Sequence, residues 1–394
     1  MKSLILGYGT TGKAVSKYLK DKNISFLIFD DNPELSNFYK IEDIKFSEID
    51  KIFVSPGIRS SHRILEIAKE KNIDVLTDIE EFSSITKTKI IGVTGTNGKT
   101  TFVHLLSKIL NEKGIISRFA GNIGNSPLEI VNELEQVEYI ILELSSFQLE
   151  HIKKLNLYIG IILNIYEDHT EWHGSYEKYK NSKIKIFDYV NTPTKKILGE
   201  SDSALSILIN KESSFTSIKS LKEYSINNYF DDFIEVFLYV CSLFSISENE
   251  SLNFLKKQDQ IEHRLEFFYE VNGVKFINDS KSTNLQSVSK ASTKFENSIL
   301  ILHGLTKGIN SNKLNLSENI KKILVPKDMD VDLTKYKNII IYYDSIFEII
   351  SYLKNNIEIY NHVLFSCGGA SFNNFKDYKD RGTFFKNIVM KEFR

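Results

Sequence analysis

Residues 90–106 constrain this chain more than any other stretch. Ile90, Ile91 and Val93 form a short apolar run. Gly95-Thr96-Asn97-Gly98-Lys99-Thr100-Thr101 is a loop of glycines, small hydroxyls and one lysine, and Phe102-Val103-His104-Leu105-Leu106 opens a helix-like segment. A strand passing through such a loop into a helix is the unit of layered α/β architecture. Glycines let backbone N–H groups close around phosphate oxygens, and the helix N-terminus adds the positive end of its dipole. Lys99 offers a point charge to the β- and γ-phosphates of a nucleotide, and Thr100 a hydroxyl to Mg²⁺. The spacing is not the usual one, because Val93 stands between Gly92 and Gly95 where a glycine is expected. With a strand before it and a helix after it, the loop reads as a nucleotide site built from Gly95, Thr96, Asn97, Gly98, Lys99, Thr100 and Thr101.

The chain opens on a second unit of the same kind. Ser3-Leu4-Ile5-Leu6 is strand-like, Gly7-Tyr8-Gly9-Thr10-Thr11-Gly12 is a glycine turn, and Ala14 to Leu19 is helical. A second strand, Ser25 to Phe29, ends in Asp30-Asp31. This is a βαβ pattern with an acid after the second strand, suited to a pyrophosphate and its ribose. Taken alone the pattern is weak, and a nicotinamide cofactor is only one of the ligands it would hold. Ile52-Phe53-Val54 then runs into Ser55-Pro56-Gly57 at the same edge.

Three segments follow from these landmarks, with boundaries at 1–87, 88–260 and 261–394. The length, 394 residues, suits two or three domains. A formal net charge of −1 provides no global field for nucleic acid or an acidic membrane surface. Cys241 and Cys367 stand far apart and suggest neither a disulfide framework nor a metal-ligand spacing. No stretch is long and apolar enough to span a bilayer, and the start is too short for a signal peptide. A soluble cytoplasmic protein is expected, monomeric, without nucleic-acid partners or membrane insertion.

Within the second segment, Tyr139-Ile140-Ile141-Leu142 is a buried-strand pattern that delivers Glu143 at its carboxyl end, the edge where parallel sheets bind ligands. A carboxylate there suits Mg²⁺, which prefers oxygen. The plain alternative is an acid facing solvent. Ile161 to Ile165 reads as another buried strand, followed by Glu167-Asp168-His169. A lone histidine is more often structural, but this one lies beside two acids at a strand end. Lys183 sits on a helix-like stretch where nothing local marks it out.

Together Val93 to Thr101, Gly121-Asn122-Ile123-Gly124, Glu143-Leu144-Ser145-Ser146-Phe147-Gln148-Leu149, Asp168-His169, His263-Arg264 and Asn278-Asp279-Ser280-Lys281-Ser282-Thr283-Asn284 resemble the Mur ligase family, in the same order and over essentially the whole chain. These are ATP-dependent enzymes that add amino acids to the peptidoglycan precursor. The form Asn-Asp-Ser-Lys-x-Thr-Asn and the opening Gly7-x-Gly9-x-x-Gly12 are most similar to the branch that adds D-glutamate to UDP-N-acetylmuramoyl-L-alanine.

The resemblance implies three domains: a Rossmann-like N-terminal domain for the UDP-sugar, a central phosphate-loop ATPase domain with a mostly parallel sheet, and a Rossmann-like C-terminal domain. It implies that Gly9, Thr10, Thr11, Asp30, Ser55, Pro56, Gly57, Asn122, Ser145 and Gln148 hold the UDP-sugar. Arg264 and Asp279 would contact ATP. Lys99, Glu143, His169 and Lys183 would be catalytic. Thr100, Glu143, His169 and a carbamylated Lys183 would serve two Mg²⁺ sites, a carbamate turning a cation into an oxygen ligand. Lys281, Thr283, Lys307, Ser371 and Tyr378 would hold the incoming amino acid, and lysines with hydroxyls suit a dicarboxylate.

The chain departs from the family pattern at His303-Gly304, where Gly-Gly is usual, at Asn373 in place of Asp, and at Asp231 where Asn is frequent. The stretch 191–225 looks shortened and has no functional reading. Rival assignments leave more unexplained. A nicotinamide oxidoreductase leaves the phosphate loop, Glu143 and His169 idle. A folylpolyglutamate synthase normally lacks the N-terminal nucleotide-sugar domain. Other peptidoglycan ligases differ chiefly in the amino-acid pocket, and no Asp-Asn-Pro-Arg stretch of the diamino-acid adders is present. A non-catalytic nucleotide-binding regulator would not need Glu143, His169 and Lys183 together.

Overall fold

Leu4, Ile5 and Leu6 are wholly buried in β1 (Lys2–Leu6), because helices leave this strand no solvent side. The computed structural model describes residues 2–38, 40–199, 216–218, 233–258, 261–306, 314–372 and 374–394. β1 lies between β2 (Phe26–Phe29) and β3 (Ile49–Val54), and β4 (Asp74–Leu76) completes a parallel four-stranded sheet in the order β2-β1-β3-β4. α1 (Thr10–Asp21) follows β1 and buries Ala14, Val15, Tyr18 and Leu19. Gly12 sets how closely α1 approaches the strand. A Cβ there would lie 2.1 Å from the Gly7 carbonyl oxygen, a backbone atom that cannot swing aside. α2 (Arg63–Glu70) and α3 (Asp78–Ile85) complete this part of the chain.

α3 also joins the first sheet to the second. Thr77 and Glu80 form a reciprocal cap at its N-terminus. Glu80 Oε1 accepts from the backbone N–H groups of Lys153 and Lys154, at 2.9 and 3.0 Å. Ser126 donates to Asp78 Oδ2 at 2.6 Å, and His151 Nε2 donates to the Ile58 carbonyl at 2.7 Å.

The second sheet is six-stranded and parallel. β5 (Lys89–Thr94), β6 (Ser117–Gly121), β7 (Tyr139–Glu143), β8 (Ile159–Ile162), β9 (Lys196–Leu198) and β10 (Thr216–Ser217) stand in the order β10-β9-β8-β5-β7-β6. β5 is central, and α4 (Lys99–Glu112) leaves its carboxyl end, burying Phe102, Val103, Leu106, Ile109 and Leu110. The helices α5 (Pro127–Ile130), α6 (Ser146–His151), α7 (Thr170–His173), α8 (Tyr176–Ile184), α9 (Ile234–Ser242) and α10 (Glu248–Lys256) follow along the chain. The apolar run Ile161 to Ile165 is only partly strand. β8 stops at Ile162 because Asn164 turns its backbone and amide toward the loop after β5.

The third sheet holds β11 (Glu266–Val271), β12 (Val274–Asp279), β13 (Ser298–His303), β14 (Ile320–Pro326), β15 (Ile340–Tyr343) and β16 (His362–Gly368), in the order β11-β12-β16-β13-β14-β15. Only the edge strand β11 is antiparallel to its neighbour. One face packs α11 (Leu285–Ser292) through Leu285, Val288 and Ala291. The other packs α12 (Ile346–Asn356) and α13 (Tyr378–Glu392) through Ile349, Leu353, Phe385 and Val389.

The described residues divide into two compact units. One carries the first two sheets, and the other carries the third sheet together with residues 166–176. Among the described residues, no helix is long and apolar enough to cross a membrane. Cys241 and Cys367 are both buried free thiols.

Candidate active site

The loop after β5 is shaped by two glycines in conformations that side chains rarely adopt. Gly95 has φ +159° and Gly98 has φ +81°. Gly98 is the N-cap of α4, where no side chain bonds to the first turn, so a ligand can take that role. A Cβ on Gly98 would also meet Phe233 at 2.8 Å. The loop is latched by Asn164, wholly buried. The Asn97 N–H donates to Asn164 Oδ1 at 2.9 Å, Asn164 Nδ2 donates to the Asn97 carbonyl at 3.2 Å, and the Asn164 carbonyl accepts from Thr96 N at 3.0 Å. Lys99 Nζ folds back on the loop, donating to the Gly95 and Thr96 carbonyls at 2.8 and 3.0 Å.

Glu143, the last residue of β7, reaches this loop as expected from its strand-end position. Thr100 Oγ1 donates to Glu143 Oε2 at 2.9 Å and Asn122 Nδ2 to Oε1 at 3.0 Å, so both carboxylate oxygens are oriented. Lys183, on α8, is buried against the other side of the loop. Its Nζ donates to the Gly95 carbonyl at 2.9 Å and Thr94 Oγ1 at 3.3 Å, and lies 4.9 Å from the Tyr179 ring centre. Thr96 Oγ1 and the Tyr179 hydroxyl are 2.9 Å apart. Among the described residues, no three His, Cys, Asp or Glu side chains gather as a metal cluster. The oxygen pair of Thr100 and Glu143 nevertheless fits Mg²⁺, which takes one or two protein oxygens alongside nucleotide phosphates.

At the carboxyl edge of the first sheet, Gly9, Thr10 and Thr11 open α1. Asp30 Oδ2 accepts from Tyr8 N at 2.6 Å and Oδ1 from Asn32 N at 2.9 Å, so this acid shapes the glycine turn itself. Ser55 donates to the Gly7 carbonyl at 2.8 Å, with Pro56 and Gly57 in the following turn. Ser145 and Gln148 cap α6 reciprocally. Gln148 Oε1 accepts from Ser145 N and Oγ at 2.9 and 3.0 Å, a structural duty that the sequence motif did not reveal.

The remaining expected residues belong to the second unit. His169 begins α7 in a left-handed conformation, φ +52°. Its N–H donates to Asp168 Oδ1 at 2.9 Å, and its ring nitrogens lie 3.8 Å from Asp168 Oδ2 and 3.7 Å from Glu171 Oε1. Arg264 lies in the turn before β11. Asp279, at the end of β12, is buried and accepts from Ser282 Oγ at 2.5 Å, Ser366 Oγ at 2.7 Å and Leu265 N at 3.2 Å. Burial pushes its carboxyl up to about 6, against these hydrogen bonds and the Arg264 charge, which favour ionisation. Lys281 Nζ stands 3.8 Å from the centre of the Tyr378 ring. Thr283 is half-buried after β12, and Ser371 is buried after β16. Lys307, Asp231, Asn373 and most of 191–225 lie outside the described residues.

The structure thus brings Lys99, Thr100, Glu143, Asn122 and Lys183 around one loop, and Asp279, Lys281 and Tyr378 around the end of β12. Two residues escaped the sequence reading. Asn164 had a signal, since an amide inside an apolar run must find partners when buried. Arg381 had none. An arginine on an amphipathic helix reads as surface, yet this one is 0% exposed.

A family model described as the Mur ligase middle domain matches residues 93–245. The chain is 30% identical to a UDP-N-acetylmuramoylalanine–D-glutamate ligase of Thermosipho melanesiensis, covering 99% of this chain and 98% of that protein. It is 31% identical to the enzyme of the same name from Buchnera aphidicola, over 98% of this chain and 97% of that protein. Among solved structures it resembles the ADP complex of MurF ligase from Thermotoga maritima, with a TM-score of 0.58, 16% identity, and 99% and 94% of the two chains covered. MurF from Acinetobacter baumannii aligns with a TM-score of 0.61 and 14% identity over 79% of each chain. These structural likenesses show the shared fold. The protein belongs to the Mur ligase family.

Proposed function

We propose that this chain joins D-glutamate to UDP-N-acetylmuramoyl-L-alanine at the expense of ATP, releasing ADP and phosphate. The observation that carries the reading is the Thr100–Glu143 pair on an intact phosphate loop, in a chain similar throughout its length to D-glutamate ligases. The three sheets correspond in this reading to domains over residues 1–87, 88–260 and 261–394. The ligase works in the cytoplasm, where its nucleotide substrates are found.

The chemistry follows from charge. The alanyl carboxylate attacks the γ-phosphate and becomes an acyl phosphate. The D-glutamate amine then adds to that carbonyl, and phosphate leaves with the C–O bonding pair. Both partners of the first step are anions, so Lys99 and the N–H groups of the loop must offset their repulsion. Thr100 and Glu143 would hold one Mg²⁺, and His169 and Lys183 would serve a second if Lys183 is carbamylated. The chemistry Mg²⁺ supplies when bound is neutralisation of phosphate charge. Gly9, Thr10, Thr11, Asp30, Ser55, Pro56, Gly57 and Asn122 would hold the nucleotide sugar, with Ser145 and Gln148 fixing the helix beside it. Arg264 and Asp279 would meet ATP. Lys281, Thr283, Lys307, Ser371 and Tyr378 would take the two carboxylates of D-glutamate.

The test is phosphate release from ATP with UDP-N-acetylmuramoyl-L-alanine and a panel of D-glutamate, L-glutamate, L-alanine and diamino acids. Release with D-glutamate alone is expected. Release with another amino acid would move the chain within the family, and none with any pair would refute ligase activity.

A further inference from the structure

Arg381, on α13, makes four hydrogen bonds from a fully buried guanidinium. Nε donates to Ser280 Oγ at 2.9 Å and Nη2 to the Ser280 carbonyl at 2.7 Å. Nη1 donates to the His303 carbonyl at 3.1 Å and the Gly369 carbonyl at 2.9 Å. Ser280 Oγ also donates to the Tyr378 carbonyl at 2.8 Å. The acceptors stand just past the end of β12, at the last residue of β13 and just past the end of β16. An arginine buried this way serves geometry, since its planar fork fixes the directions of several acceptors at once.

We propose that Arg381 is the positioning residue of the amino-acid pocket, tying α13 to the chain segments at Ser280 and Gly369 that carry D-glutamate contacts and setting their spacing. This rests on the functional reading above. Lys281 and Thr283 follow Ser280 by one and three residues, Ser371 follows Gly369 by two, and Tyr378 precedes Arg381 by three. Among the described residues, each one assigned to the incoming amino acid is therefore within three positions of Arg381 or of an atom it holds. Gly304 reinforces the clasp, because a Cβ there would lie 2.7 Å from Arg381 Nη1 and 2.3 Å from the Ala370 carbonyl.

Arg381→Lys keeps the charge and loses the fork. We expect the KM for D-glutamate to rise about tenfold to a hundredfold, the effect of one or two lost charge-assisted hydrogen bonds, while KM for ATP and the nucleotide sugar stay within about twofold. Hydroxylamine offers a second readout, because it attacks the acyl phosphate without using the amino-acid pocket. Hydroxamate formation from ATP and the nucleotide sugar should match wild type in Arg381→Lys. Unchanged KM values, or a parallel rise in all three with loss of hydroxamate, would overturn the proposal. If Arg381→Lys does not fold, Ser280→Ala removes one clasp bond and the tie to Tyr378. It should raise the D-glutamate KM about threefold to tenfold with the other constants unmoved, and an unchanged KM would again overturn the proposal. Wild-type protein that turns over a different amino acid would refute the substrate assignment, and the clasp would then be read on that amino acid's KM.

Discussion

Asn164→Ala should weaken ATP binding although Asn164 need not touch ATP. The substitution deletes the bonds at 2.9 and 3.2 Å that hold both polar groups of the Asn97 peptide, and it leaves the Thr96 N–H bond to the main chain intact. Each orphaned group costs up to about 1–3 kcal/mol, and because Asn97 is only part-buried solvent recovers some of that, so about 2–4 kcal/mol is expected in all. If the loop escapes the cost by rearranging, its ATP-competent form is depopulated by the same amount, which corresponds to about thirtyfold or more in Kd. If it stays in place, the cost appears as a melting point lowered by several degrees. Titration calorimetry with ATP and Mg²⁺, paired with thermal unfolding, separates the two. Asn164→Asp provides a stricter case. It can still accept from Asn97 N, but it sets an oxygen against the Asn97 carbonyl. Wild-type ATP affinity and an unchanged melting point in both variants would refute the idea that this buried amide preorganises the loop.

Gly12→Ala forces a Cβ to within 2.1 Å of the Gly7 carbonyl, whereas a Cβ on Gly9 meets nothing within 4 Å. The first should destabilise the protein by about 1–3 kcal/mol or more in denaturant titration. Gly9→Ala should keep wild-type stability and raise the KM for the nucleotide sugar, and equal stability loss in both would contradict this packing account. Asp279 has its pKa raised from 3.8 to about 6 by burial. The folded state therefore keeps a proton that the unfolded chain loses between those values. The stability this group contributes is complete below pH 3.8 and is lost as pH rises through 6, a difference of about 3 kcal/mol. The stability of wild type relative to Asp279→Asn should fall from pH 4 to pH 7 in urea titrations, and a flat or rising difference would refute the assignment. Lys183→Ala should lose about 10–100-fold or more in turnover and regain activity with added formate or acetate. Near-wild-type turnover without added acid would exclude a carbamate ligand.

Much of the fold could be read from the sequence where one physical requirement dominated. The apolar runs at Ile90 to Val93 and Tyr139 to Leu142 became β5 and β7 because parallel strands between helices have no polar face. The glycine turn at Gly7 to Gly12 marked a place where a helix comes close to a strand, and Glu143 at a strand end reached Thr100 as its position implied. Local pattern failed where a residue's duty was set by distant partners. Ile161 to Ile165 looked uniformly strand-like, but the amide of Asn164 bonds to a loop 67 residues earlier and ends the strand early. Ser145 and Gln148, only three residues apart, also cap α6, a local duty that stands beside the ligand role their motif implies. Arg381 resembled a surface arginine because nothing near it in sequence discloses carbonyls contributed by β13 and the ends of two other strands.

The central claim is the route through an acyl phosphate, and oxygen transfer tests it most directly. UDP-N-acetylmuramoyl-L-alanine carrying ¹⁸O in its alanyl carboxylate is incubated with ATP, Mg²⁺ and D-glutamate, and the released phosphate is analysed by mass spectrometry. The C–O bond that breaks when the amine adds delivers one carboxylate oxygen to phosphate, so one ¹⁸O per phosphate is predicted from doubly labelled substrate. Unlabelled phosphate accompanied by product would contradict the account.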